Sequence, residues 1–251
     1  MKIKLPLELE FIKNKYNSAN NYQVKLGGFK DGGYVTDYRS VLRSKLLISG
    51  GVGSNVRFES DFHDINNKLK VILIDPTVSI VRMFLRACFH FIKKNESGFR
   101  SLSEVFNYLY FIKKSRLIKK YLNNDFNIQN LLENYNELNT VFLKLDIEGF
   151  EYSILESILK HKKYFTGLCI EFHSLNIPEN CTKLESFLIE LDFEILNVSV
   201  NEVCLTDNNY PSVLEISFIP KSVVNWPLDF NETYYLQNSN ALNNEMIVLE
   251  I

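Results

Sequence analysis

VFLKLDIEGFEYSIL, residues 141–155, changes its hydrophobic period in mid-stretch. Residues 141–145 form a short apolar run of the kind a buried strand carries. Beyond Asp146 the apolar positions Phe150, Ile154, Leu155, Ile158 and Leu159 fall at helical spacing. Between the two patterns stand Asp146, Glu148 and Glu151, with Gly149 among them. The stretch therefore reads as a buried strand that delivers carboxylates to a strand-to-helix turn. Ligands of open α/β sheets bind outside the carboxyl ends of the strands, so chemistry is expected at this turn.

The same alternation extends in both directions. Residues 45–49 (KLLIS), 70–75 (KVILID) and 167–171 (GLCIE) read as further strands. Helices are expected from about Arg57, from Pro76 and Thr77 through Lys94, from the 141–155 turn to about His161, and over residues 179–191. Residues 193–200 and 213–220 read as two last strands, joined by a loop holding Asn208, Asn209 and Pro211. Glycine-dense KLGGFKDGGYV, residues 25–35, reads as a turn or bulge system. Residues 1–24 read as a helical lead-in and the chain beyond Val223 as an irregular tail. Residues 93–138 read as polar helical pieces enclosing a third strand that no pattern marks. These elements predict an α/β fold: a mostly parallel sheet, an antiparallel terminal strand pair, and helices on both faces. One domain over residues 1–251, with a core at 25–220, accounts for the chain.

Bulk properties exclude several classes. Lys and Arg number 28 against 30 Asp and Glu, which leaves no general basic footprint for nucleic acid. The four cysteines, Cys88, Cys169, Cys181 and Cys204, include no CxxC pair for zinc. Cys88 and Cys169 sit in apolar runs and read as small buried hydrophobes of a reducing compartment. MKIKLPLELEFIK mixes charge through its apolar positions, unlike a signal peptide. The longest apolar stretch, residues 78–92, is interrupted by Arg82, Arg86 and His90 and makes no membrane span. A soluble cytoplasmic protein without a transmembrane segment is expected.

The loop from Gly50 to Asn55, GGVGSN, follows the first strand and precedes a helix. Gly50, Gly51 and Gly53 let the backbone approach a ligand, and the helix start beyond offers free N–H groups. Asp75 ends the next strand about 22 positions on, near the spacing at which an acid meets ribose hydroxyls. A dinucleotide fingerprint would place a third glycine near Val56 for the pyrophosphate, and the residue there is bulky. An adenosine cofactor without phosphates, S-adenosylmethionine, fits better.

In order, LLISGGVGSNVRFESDF, VILIDPT, VFLKLDIEGFEYSIL and GLCIEFH resemble the FkbM-type S-adenosylmethionine-dependent methyltransferases. DGGYV, residues 31–35, is similar to a variant of that family, and VLEISFI, residues 213–219, to its last strand. The resemblance runs from about Lys25 to Pro220. It implies a class I methyltransferase fold and methyl transfer, usually to a hydroxyl of a sugar, glycan or other small metabolite. It also implies that Gly51 and Gly53 line the cofactor and that Asp75 is the ribose acid. Ser49 stands where many such enzymes end the first strand in an acid, which moves amino-group recognition to Glu59.

Asp146 ends its strand where the methyl group is expected and is a candidate to orient the acceptor, attract the sulfonium or hold a metal. Glu148 and Glu151 read as helix N-terminal charges. Glu171 and His173 end the neighbouring strand, and His173 is the candidate general base because imidazole titrates near neutrality. Asp146, Glu171 and His173 together also offer a metal-ligand set, with a spacing that is not diagnostic. His63, His90 and His161 read as structural. FIKKSRLIKKYL, residues 111–122, is a basic amphipathic stretch, read as a solvated helix face rather than a surface for a membrane or an anionic carrier. A nicotinamide-dependent oxidoreductase and a non-catalytic cofactor-binding scaffold are the rival readings. Against them stand the missing glycine and the retained Asp75, Asp146 and Glu171.

Overall fold

The computed structural model describes residues 3–4, 9–12, 22–28, 33–92, 97–200, 211–226 and 249–250. In chain order these form β1 (Ile3–Lys4), β2 (Gln23–Leu26), β3 (Tyr34–Asp37), α1 (Tyr38–Arg43) and β4 (Leu46–Gly50). Next come α2 (Arg57–Ile65), β5 (Lys70–Ile74), α3 (Ile80–Ile92), α4 (Ser97–Lys114), β6 (Arg116–Ile118) and α5 (Ile128–Leu132). The last group is β7 (Val141–Leu145), α6 (Glu151–Lys160), β8 (Phe165–Phe172), α7 (Pro178–Leu191), β9 (Glu194–Val200), β10 (Leu214–Ile219), α8 (Lys221–Val224) and β11 (Leu249–Glu250).

Seven strands make one sheet in the order β6-β5-β4-β7-β8-β10-β9. All pairings are parallel except those of β10, which runs antiparallel to both β8 and β9. The chain winds outward from β4 to β6, then returns to lay β7 against the other side of β4. That reversal is the topological switch point, where the loops after adjacent strands part and leave a crevice.

Side chains alternate across the sheet because strand periodicity is two. Leu46, Ile48, Val141, Leu143, Leu145, Leu168 and Ile170 pack with α5, α6 and α7 on one face. Leu47, Val71, Leu73, Phe142 and Cys169 pack on the other with α1, α2, α4 and the β2–β3 hairpin. Burial of each such aliphatic chain contributes about 1.5–3 kcal/mol, so the central strands need no intrinsic propensity to stay in place.

The expected sheet thus forms, mostly parallel with helices on both faces. On either side of the glycine-dense segment the chain pairs antiparallel, with Lys25 opposite Val35 and Leu26 opposite Tyr34, and residues 29–32 between them lie outside the described residues. The third strand is β6, which splits the 111–122 stretch into a helix end, an edge strand and a loop, so that stretch is not one helix face. The lead-in is not a single helix: Ile3–Lys4 pairs with Leu249–Glu250. Leu9 and Ile12, three apart in one 3₁₀ turn, are fully buried in the core. Among the tail residues, 221–224 are helical and 249–250 extended, so the tail is not irregular throughout. The Asn208–Asn209 loop and Cys204 lie outside the described residues, as does the side chain of His90.

Candidate functional site

The loop after β4 is held by its neighbours' backbones. Gly51 N–H donates to the Ile74 carbonyl at 2.9 Å, and Asp146 N–H donates to the Gly50 carbonyl at 3.1 Å. Gly51 has φ +74°, and a Cβ there would lie 1.5 Å from the Asp146 carbonyl oxygen. Close strand-end packing therefore dictates this glycine. Gly53 has φ +56° with nothing within 4 Å of its missing Cβ, so it opens onto free space. Asp75 ties the loop down: one carboxylate oxygen accepts from Gly53 N–H at 2.7 Å. The other accepts from Thr77 N–H at 2.6 Å and Thr77 Oγ1 at 2.7 Å.

Beneath the loop, the face shared with α2 and the hairpin carries polar residues where Leu47 and Phe142 would set an apolar pattern. Ser49 and Lys144 are paired in register across β4 and β7. Ser49 Oγ donates to Glu59 Oε1 at 2.5 Å. Glu59 is buried, its Oε2 has no hydrogen-bond partner, and burial raises its carboxyl pKa against the pull of Lys144 and Ser49. Lys144 donates to the Gly51 carbonyl at 3.3 Å, lies 3.6 Å from Asp146 Oδ2 and sits 5.3 Å over the Tyr34 ring.

At the ends of β7 and β8 the acids converge. Tyr34 Oη lies 3.4 Å from Asp146 Oδ2 and 3.2 Å from Glu171 Oε2, so the hairpin spans both strand ends with one hydroxyl. Glu171 stands opposite Glu215 in the antiparallel register. Burial first, then the charges of Asp146 and Glu215, push the Glu171 carboxyl up to about 8. Burial, then Asp146 and Glu171, hold the Tyr34 phenol well above its usual value.

His173 faces Glu151, with Nδ1 3.0 Å from Glu151 Oε1, and its Nε2 lies 3.6 Å from Glu148 Oε2. Burial disfavours the imidazolium. The hydrogen bond and charge of Glu151, with Glu171 and Asp146 beyond, outweigh burial and lift His173 to about 9. Glu151 is fully buried, and the same Oε1 accepts from Ile147 N–H at 3.1 Å and Gly149 N–H at 3.2 Å. More than a helix-end charge, it fixes both the turn and the ring. That turn is strained, with Glu148 at φ 55° and Gly149 at φ 97°. One ligand atom each from Asp146, Glu171 and His173 lies within 4.8 Å of the others, a spacing open to a cation. A protonated His173 and a protonated Glu171 would first have to release their protons.

A cavity of about 360 Å³ opens at the carboxyl ends of β4, β5 and β7, large enough for a nucleoside-sized ligand. Gly51, Gly53, Asn55, Glu59, Asp75 and Asp146 all line it. Gly50 is off the wall, packed beneath the loop against Leu122 and Leu145. Glu171 and His173 are also off the wall, grouped with Asp146 behind it. Asp146 itself is only partly buried, its side chain 22% exposed, rather than fully buried as its strand-end position suggests. Tyr121 and Phe150, rings 5.9 Å apart, stand exposed at the rim.

Sequence reasoning missed Tyr34, Lys144 and the clamping role of Glu151. A lysine inside an otherwise apolar strand was the available signal for Lys144. His63 lies edge-on to Phe111 at 6.0 Å, and His161 Nδ1 lies 2.8 Å from the Ser157 carbonyl oxygen. Cys169 is buried, which pushes its thiol up to about 12, whereas Cys88 is only partly buried.

No protein-family model and no curated protein matches the sequence. Among solved structures the chain is similar to a precorrin-6y C5,15-methyltransferase from Geobacter metallireducens, at 13% identity and a TM-score of 0.42, covering 73% of this chain and 86% of that one. It is similar to a fibrillarin pre-rRNA processing protein from Methanococcus jannaschii, at 12% identity and a TM-score of 0.41, covering 82% and 86%. A SAM-dependent methyltransferase from Aquifex aeolicus matches at 15% identity and a TM-score of 0.35, covering 71% and 84%.

Proposed function

We propose that this chain is an S-adenosylmethionine-dependent methyltransferase of the FkbM type, acting on a hydroxyl of a sugar, glycan or other small metabolite. One observation carries the reading. The cavity at the switch point gathers Gly53, Glu59, Asp75 and Asp146, and Glu59 presents it with a buried carboxylate whose Oε2 has no partner. A buried acceptor left unpaired is costly, and an ammonium group would satisfy it. When bound, the cofactor supplies an electrophilic methyl group on a sulfonium. Glu59 would accept from its amino group, Asp75 would meet the ribose with lone pairs left over from Gly53 and Thr77, and Tyr121 and Phe150 would offer flat faces to the base.

Asp146 is the member of the acid–histidine cluster on the cavity wall, so it takes the role of orienting the acceptor hydroxyl and accepting its proton. His173, with Nδ1 engaged by Glu151, sits behind as a fixed charge. Most of the acceleration then comes from alignment of acceptor oxygen and methyl group. Calorimetry is the test. S-adenosylmethionine or its demethylated product should bind, and NAD should show no comparable affinity. Glu59→Gln keeps the Ser49 hydrogen bond but should weaken binding by about 1.5–3 kcal/mol, the worth of a charged hydrogen bond. Tight NAD binding without S-adenosylmethionine binding would overturn the reading.

A further inference from the structure

We infer that α3, with the basic segment that follows α4, is a docking surface for an anionic lipid bilayer. Val81, Phe84 and Leu85 lie at helical spacing i, i+3, i+4 along α3 and are 68%, 50% and 62% exposed. An apolar stripe this open on a helix is a binding face, since scattered single residues would not share one side. Arg82 is exposed beside it. On α4, Phe106 and Tyr110, four apart, are also exposed, and Lys114 Nζ sits 4.4 Å over the Tyr110 ring. Lys113, Lys114, Arg116 and Lys119 continue along the surface through β6, all exposed.

Charge selects the occupant. Residues 80–122 hold ten Lys and Arg against two Asp and Glu, in a chain that totals 28 against 30. Two copies meeting through α3 would press like-charged segments together. Phe84, Phe106 and Tyr110 offer rings on which bases stack, but the aliphatic Val81 and Leu85 gain nothing from a nucleic acid, whereas acyl chains bury them. Apolar side chains with surrounding Lys and Arg are what an interfacial helix uses to lie in the headgroup region of an anionic leaflet. No helix among the described residues is long and apolar enough to cross a membrane, so the contact is one of lying on the surface. The segment leads straight into Lys120 and Tyr121 on the cavity wall, which sets the cavity mouth next to the bilayer. The inference stands apart from the methyl-transfer reading, because its readout is association with vesicles.

The test is co-sedimentation of the full chain with vesicles of phosphatidylcholine alone and of phosphatidylcholine with phosphatidylglycerol. Binding to the anionic vesicles only, released by added salt, is expected. The double variant Phe84→Glu/Leu85→Glu, and separately Lys113→Glu/Lys114→Glu, should each lower partitioning about tenfold or more. All four side chains are exposed, so thermal melts should match the unmodified protein. If they do not, the salt series on the unmodified protein still decides. Equal binding to neutral vesicles, or none to either, overturns the inference. So does a dimer that Phe84→Glu/Leu85→Glu dissociates, or binding to a uridine homopolymer without vesicle association.

Discussion

Glu151 gives a single carboxylate oxygen to the His173 ring and to two backbone N–H groups of the turn before α6. The consequence is a proton on His173 at neutral pH, against the expectation for a free imidazole. With the folded value raised to about 9, His173 contributes stability that is complete below its usual 6.5 and is lost as pH rises through 9. Titration of His173 by NMR should therefore show a midpoint well above 6.5. Glu151→Gln, which keeps an oxygen for the backbone donors, should bring it down. A midpoint near 6.5 in both proteins would remove the clamp. The strand-end acids were legible because an apolar run ending in carboxylates has few other uses. Tyr34 was not, since its partners Asp146 and Glu171 lie 112 and 137 residues away and no local pattern announces such a contact.

Two glycines in one loop answer to different constraints, and the element shows which is which. An alanine at Gly51 would drive its methyl into the Asp146 carbonyl and separate the ends of β4 and β7. Gly51→Ala should thus lose about 3 kcal/mol or more in chemical denaturation. Gly53→Ala meets no neighbour and carries only the left-handed backbone penalty of about 1–2 kcal/mol, so it should fold and lose cofactor affinity instead. Equal destabilisation by the two would refute the distinction. From sequence alone both read as ligand-facing, and both do line the cavity; the collision that also constrains Gly51 leaves no mark in the letter. β6 escaped for a related reason. Arg116–Ile118 is three residues long with basic neighbours, the form an edge strand takes to discourage further pairing, and three residues carry no measurable period.

Across the molecule, Glu171 and His173 bind protons more tightly when folded. An acid raised to about 8 contributes stability that is complete below its usual value near 4.5 and disappears as pH climbs through 8. Melting temperature should decline from about pH 4.5 toward pH 9, and Glu171→Gln, which cannot ionise, should flatten the decline below pH 8. A variant that melts in parallel with the unmodified protein at every pH would contradict the raised value. The architecture itself was readable because β4, β7 and β8 are largely apolar runs, buried on both faces as strands covered by helices on each side are.

Residues 80–122, with their ten basic and two acidic side chains, include the edge strand β6, while the remaining chain carries an acidic excess. The protein is therefore an electric dipole whose small net charge of −2 conceals its poles. In a negative field it feels mainly a torque, turning the β6 edge forward before any contact forms. At physiological ionic strength that torque acts over about 8 Å, and at one-tenth of that salt over roughly three times the distance. Orientation on arrival, and with it the rate of productive encounter, is thus set by salt even where the contacts finally made are apolar.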